Sequence, residues 1–252
     1  MATELAAAVL GISFLVGFLA MLLWKKDSPQ WKIFPGFYTF LPAIIAVLLV
    51  FFRSKHWSFG DFSFTKLDLR YMLLGFAIPV ILYAINLTIM TRALSYKFKP
   101  GIQWKKILPG IPLGILVLII FVAGEEIGWR GFLQTALIEK YGTLAGVILL
   151  GVIWGIWHAP IALRGHNLNS HFWAEAFVLY PYTCVCYSFP LAFLTIQSGS
   201  IWPALIFHAT NNMLGSIGTE IVEKQDTRRE ILLLMATGTL LIIPFAFFLS
   251  KI

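Results

Sequence analysis

Seven residues in an otherwise apolar chain have types and spacings that hydrolytic chemistry can use. They fall in three groups: Gly124-Glu125-Glu126-Ile127-Gly128-Trp129-Arg130, then Trp154-Gly155-Ile156-Trp157-His158, then His208-Ala209-Thr210-Asn211-Asn212. Glu126 and Arg130 stand four apart, share a helix face and can pair, which cancels two buried charges. Glu125 is turned about 100° from Glu126 on a helix. It lacks that partner, and an unpaired buried carboxylate suits a general base. His208 and Asn212 repeat the four-residue spacing, so an imidazole and an amide on one face can donate hydrogen bonds to a developing oxyanion. Trp154 and His158 repeat it again, placing an indole where it can pack on the imidazole. Asn211 points elsewhere and reads as structural. A base that activates water, with a second histidine and an amide to hold the oxyanion, is equipment for hydrolysing a peptide bond.

The residues leave a second chemistry open. His158, His208 and Glu125 could be three zinc ligands with Glu126 as base, although the His-Glu-x-x-His helix motif of many zinc proteases is missing. A third reading is not catalytic at all: a membrane protein whose polar residues hold a ligand, a class to which the resemblance stated below adds bacteriocin immunity.

The elements that position these groups must be transmembrane helices. The 252 residues are 59% hydrophobic and only 12% charged, whereas a soluble domain has about 25% charged residues. That balance excludes an ordinary soluble enzyme, a disordered chain and a disulfide scaffold, and predicts an all-α polytopic bundle of about eight spans. Hydropathy places the spans near 6–24, 37–52, 71–91, 107–139, 143–163, 173–196, 201–217 and 231–250. The whole chain reads as one integral-membrane domain with a chemical core over 121–216. The three polar groups fall inside the fourth, fifth and seventh spans, where each ionisable side chain costs about 2.5–3.5 kcal/mol on insertion scales.

Depth supplies an independent argument. The fourth and fifth spans meet at Tyr141-Gly142, a turn short enough to make them antiparallel neighbours. Glu125 lies 17 residues before Gly142 and His158 lies 16 after it. At 1.5 Å per residue both sit about 25 Å from the tip, so the two side chains are expected to meet. The glycines Gly124, Gly128 and Gly131 leave room for another helix to approach. Pro203 falls early enough in the seventh span to be tolerated.

Charge sets orientation. Of the 19 Lys and Arg residues, 12 fall in loops after odd-numbered spans and 7 on the other side, which predicts both termini outside and the odd loops cytoplasmic. The net charge of +7 is therefore a loop property and gives no sign of nucleic acid. The first span is not expected to be a cleaved signal peptide, since Glu4 precedes it and Lys25 and Lys26 follow it. Cys184 and Cys186 read as buried free thiols.

In order, Glu125-Glu126-x-x-x-Arg130, Trp154-x-x-x-His158 and His208-x-x-x-Asn212 resemble the three signatures of the CPBP family. These are the CAAX proteases and bacteriocin-processing (Abi) intramembrane proteases, related to Rce1-type CAAX endopeptidases. The resemblance implies an eight-helix bundle with its site inside the membrane. It further implies that Glu125 and His158 activate water without a metal or other cofactor, that His208 and Asn212 form the oxyanion hole, and that Glu126 and Arg130 support the first motif. The partners it implies are a peptide or protein substrate, lipidated in some members, and membrane lipid. The chain's compactness leans toward a bacterial cell membrane. One departure stands out: the second motif usually begins with Phe, and here it begins with Trp154.

Overall fold

The computed structural model describes every residue except 1, 27, 55–62, 65, 165–171, 224–226 and 252. Lys55 and Lys224, which enter the charge bias above, lie outside the described residues. The chain is a bundle of helices: α1 (Ala2–Leu23), α2 (Pro29–Tyr38), α3 (Leu41–Ser54), α4 (Leu69–Arg92), α5 (Trp104–Gly128), α6 (Gln134–Tyr141), α7 (Thr143–Trp157), α8 (Ala159–Ala162), α9 (Phe172–Ala174), α10 (Tyr180–Ser198), α11 (Trp202–Ile221) and α12 (Thr227–Leu249). Two π turns, Trp129–Leu133 and Glu175–Leu179, join α5 to α6 and α9 to α10. Among the described residues the only β pairing is an isolated bridge between Phe98 and Val222.

Helix ends follow local chemistry. Ser28 caps α2 by accepting from the Trp31 N–H, with Pro29 in the first turn where its missing donor is harmless. Asp68 caps α4 through the Arg70 N–H. Gly142 and Gly199 take φ of +80° and +61°, a conformation that favours glycine, and so turn the chain after α6 and after α10. Pro203 sits in the first turn of α11, as expected.

All eight expected spans are helical. Five helices among the described residues are long and apolar enough to cross a membrane: Ala6–Leu23, Leu69–Arg92, Trp104–Tyr141, Thr143–Ala162 and Glu175–Ser198. A sixth forms if α2 and α3, bent by 44° at their junction, act as one. Helix α11 carries His208, Thr210, Asn211, Asn212, Ser216 and Thr219 and is too polar to qualify. Helix α12 runs 23 residues from Thr227 to Leu249, about 34 Å at 1.5 Å per residue, which is enough for the roughly 30 Å hydrocarbon core.

Glycines set the closest approaches, as the sequence predicts. A Cβ on Gly124 would lie 2.5 Å from the Thr39 carbonyl oxygen, and one on Gly128 would lie 2.5 Å from Pro42 Cβ. Helix α5 therefore seats against the bend between α2 and α3. Gly151 and Gly155 of α7 press on the backbone of α10 at Val185 and Pro181. Gly146 does the same against Leu137 and Ile138, closing the α6/α7 hairpin. Beneath these contacts lies an aromatic layer. Tyr38 stacks on Trp157 at 4.6 Å, Trp157 meets Trp129 edge-on at 5.8 Å, and the Tyr38 hydroxyl reaches the carbonyls of Ser13 and Trp157. These contacts tie α1, α2 and α7 to the π turn that follows α5.

Candidate active site

The first motif closes α5. Glu125 and Glu126 occupy its last turn, and Arg130 follows in the π turn, whose wider i→i+5 bonding is marked by the Gln134 N–H reaching Trp129 O. π turns of this kind interrupt α-helices most often near functional sites. Glu125 is 4% exposed, Glu126 0%, Arg130 4% and His208 7%, so all four are held away from solvent and lipid. The expected pair is present: Arg130 Nη1 donates to Glu126 Oε1 at 3.0 Å.

That carboxylate does more than neutralise the arginine. The same Oε1 accepts a hydrogen bond from His208 Nδ1 at 2.8 Å, which couples the first motif to the third. Arg130 is also held by Ser188 of α10, whose Oγ lies 3.3 Å from Nη2. Its guanidinium carbon sits 4.2 Å from the Trp154 ring centre, a cation–π contact that is strengthened where water is excluded.

Trp154 is the hub. Its indole N–H donates to Glu125 Oε2 at 2.8 Å, its ring packs edge-on against His208 at 5.4 Å, and its carbonyl accepts from His158 Nδ1 at 2.8 Å. Glu126, Arg130, Trp154 and His208 therefore close a ring of pairwise contacts drawn from all three motifs. Glu125 and His158 both hang on Trp154.

One expectation changes in detail. Glu125 and His158 do not bond to each other; each reaches Trp154. The expected packing of indole and imidazole is present as a tilted ring pair, 6.0 Å apart at 53°. A buried indole N–H needs an acceptor, and it finds one in Glu125. The carbonyl of Trp154 holds the same imidazole at Nδ1. Asn212 lies one turn beyond His208 on α11, half-buried.

Both histidines turn Nδ1 toward an acceptor, the Trp154 carbonyl for His158 and the Glu126 carboxylate for His208. That arrangement serves a general base and a metal ligand equally. What a metal further needs is convergence of its ligands, and among the described residues no group of three His, Cys, Asp or Glu side chains is placed to hold an ion.

Residues 107–214 match the family described as Type II CAAX prenyl endopeptidase Rce1-like. That stretch contains every residue of the ring above. Over this stretch the chain is similar to CPBP-family proteins. It is 24% identical over 140 residues to a protein named CAAX prenyl protease 2 from Methanococcus maripaludis, covering 54% of this chain and 48% of that one. It is 25% identical over 175 residues to a lysostaphin resistance protein A from Staphylococcus haemolyticus, covering 68% of this chain and 45% of that one. The chain thus aligns with about half the length of the curated relatives it matches.

Three neighbours of the three motifs escaped the sequence reading. Ser188 sits in an apolar helix with no pattern to mark it. Tyr180 stacks face to face on His158 at 4.3 Å and 7°. Trp157 meets the same imidazole edge-on at 4.9 Å. Trp157 was visible as the residue before His158, but an i,i+1 neighbour points elsewhere on a regular helix. The contact arises because α7 ends at His158 and the chain turns into α8.

Proposed function

We propose that this protein is an intramembrane endopeptidase that hydrolyses a peptide bond in a membrane-associated protein or peptide. The observation that carries the reading is the Trp154 hub, which holds a buried carboxylate and an imidazole at one level while the ring of Glu126, Arg130 and His208 closes beside them.

Glu125 and His158 activate the water. Glu125 Oε2 is fixed by the indole, and His158 Nε2 is presented because Nδ1 is tied to the backbone. The water loses a proton to this pair as its oxygen attacks the scissile carbonyl. The same proton then passes to the departing amine, so that acid and amine products balance. His208 and Asn212 face the oxyanion. To donate from Nε2 while Nδ1–H serves Glu126, His208 must carry both protons, and Glu126 lies beside it as counter-charge. Arg130 in turn keeps Glu126 in place. Fixed donors in a water-poor site are worth about 2.7–4 kcal/mol each to such a transition state.

The names of the two relatives support a peptide or protein substrate, and the apolar helices support its delivery from the membrane. Lipidation of that substrate, residence in a bacterial cell membrane and freedom from a metal belong to the same proposal.

The test uses the full chain in lipid vesicles with a library of reporter peptides, beside a peptidomic comparison of cells carrying wild type and Glu125→Gln. Cleavage by wild type, and loss of those products in a folded Glu125→Gln protein, are expected. A fully active Glu125→Gln enzyme overturns the assignment.

A further inference from the structure

Within the reading that His158 activates water, we propose that helix α1 is a brace for that histidine: Ser13, Gly17 and Met21 fix the chain on both sides of it, and Gly17 and Arg164 are positioning residues for the imidazole.

Ser13, Gly17 and Met21 stand four apart and so form one stripe along α1. Each meets the chain close to His158. Ser13 does so through Tyr38, whose hydroxyl lies 3.2 Å from the Ser13 carbonyl and 3.1 Å from the carbonyl of Trp157, the residue just before His158. Gly17 meets Pro160, two residues after it: a Cβ on Gly17 would lie 2.5 Å from Pro160 Cβ and 2.8 Å from Pro160 Cγ. Met21 meets Arg164, whose guanidinium donates to the Met21 carbonyl and lies 4.9 Å from the Trp31 ring centre. The opposite face of α1, with Leu15, Phe18 and Leu22, is exposed and suits lipid.

Pro160 makes a brace useful at this point. It has no N–H to give to the Ile156 carbonyl, so the hydrogen-bond ladder is interrupted beside His158. Helix α7 accordingly ends at Trp157, and the turn α8 begins at Ala159. The Trp157 carbonyl lies in the last turn of α7, where a helix runs out of its own donors, and the Tyr38 hydroxyl reaches it. The Met21 carbonyl has the same place at the end of α1. Arg164 brings it a donor together with the positive charge that a helix C-terminus favours. Two helix ends are thus completed by groups that also set where the histidine stands.

The contact at Gly17 makes the idea testable. A proline ring has no rotamer with which to yield, so a methyl group on Gly17 must move Pro160 and the backbone leading to the imidazole. Gly11 on the same helix has nothing within 4 Å of its Cβ position and serves as control. With the full chain in vesicles, Gly17→Ala is expected to lower kcat roughly 10–100-fold, the scale of a misplacement of about 1 Å, with KM near wild type. Gly11→Ala is expected to leave both unchanged. Arg164→Met, which keeps the stem and removes the donor, should also lower kcat, and Arg164→Lys, which returns a charged donor, should restore most of it.

A second readout does not require catalysis and separates positioning from general loosening. The rings of Trp157 and Tyr180 lie 4.9 and 4.3 Å from the His158 imidazole, so a small shift of that ring moves its Hε1 resonance. The resonances of His158 and His208 are assigned by their loss in His158→Gln and His208→Gln among the five histidines. In Gly17→Ala and Arg164→Met the His158 resonance should move while that of His208 stays. Wild-type kcat in both variants, a loss of the same size in Gly11→Ala, or His158 and His208 resonances that move together or not at all overturns the proposal. If wild type cleaves no substrate, the endopeptidase reading fails, while the two resonances still decide whether α1 holds His158.

Discussion

Glu126 accepts a hydrogen bond from His208 at 2.8 Å on the oxygen that also holds Arg130. One carboxylate oxygen thus fixes a group from each of two helices, and its charge stands between two cationic partners once His208 is protonated. Glu126 is the joint between the first and third motifs, and an ion pair with Arg130 describes only half of its work.

Replacing Glu126 by Gln therefore has two effects. It leaves Arg130 buried without a counter-charge, a loss of about 3–5 kcal/mol for a broken buried pair. It also frees His208, so kcat falls although Glu126 does not touch the reacting atoms. In a double-mutant cycle, Glu126→Gln added to His208→Ala should lower the rate little further, since groups sharing one network are not additive. Rates that multiply across the cycle would show the two residues acting independently.

Trp154→Phe separates the hub's ring from its N–H. The face over Arg130 survives, and the hydrogen bond to Glu125 is lost. A hydrogen bond to a charged group contributes about 1.5–3 kcal/mol, so kcat/KM should drop roughly 10–150-fold with little change in melting temperature. Trp154→Leu, which also removes the cation–π contact, should lower both. A Trp154→Phe enzyme as fast as wild type would show that Glu125 holds its position without the indole.

The sequence carried the helices and the spacings well, because both follow from local rules. The hydrophobic runs located each span to within a few residues, and the four-residue intervals placed Glu126 with Arg130. The equal distances of Glu125 and His158 from Gly142 agree with the contact both make with Trp154. What periodicity could not carry was side-chain direction across helices. The indole of Trp154 turns toward Glu125 because its buried donor needs an acceptor there, and nothing in the spacing of α7 announces that acceptor. Tyr180 was equally hidden, since its approach depends on a π turn and on Gly155, both tertiary facts.

Metal dependence offers a direct check. His158 and His208 lie in different motifs, and among the described residues no group of three His, Cys, Asp or Glu side chains converges to hold an ion. Purified protein is expected to hold far less than one zinc per chain and to keep its activity after prolonged treatment with a membrane-permeant chelator. Activity lost on chelation and regained with stoichiometric zinc would move His158, His208 and Glu125 from acid–base roles to ligation.

The last prediction concerns Gly155, where stability and catalysis are coupled. A methyl group there would overlap Pro181 Cα, and a collision with backbone cannot be relieved by a rotamer change. Helices α7 and α10 must separate, which costs about 1–3 kcal/mol in an otherwise close-packed interior and pulls Tyr180 away from His158. Gly155→Ala should thus melt earlier and turn over more slowly, even though alanine is about 1 kcal/mol the better helix former. Gly215 on α11 provides the control, because nothing lies within 4 Å of its Cβ position. Gly215→Ala gains the same helix propensity without a clash and should melt at or above wild type with unchanged rate. Melting curves in detergent and reporter cleavage in vesicles read both variants. If Gly155→Ala matches Gly215→Ala in both measurements, the close approach of α7 and α10 is not what presents Tyr180 to the imidazole.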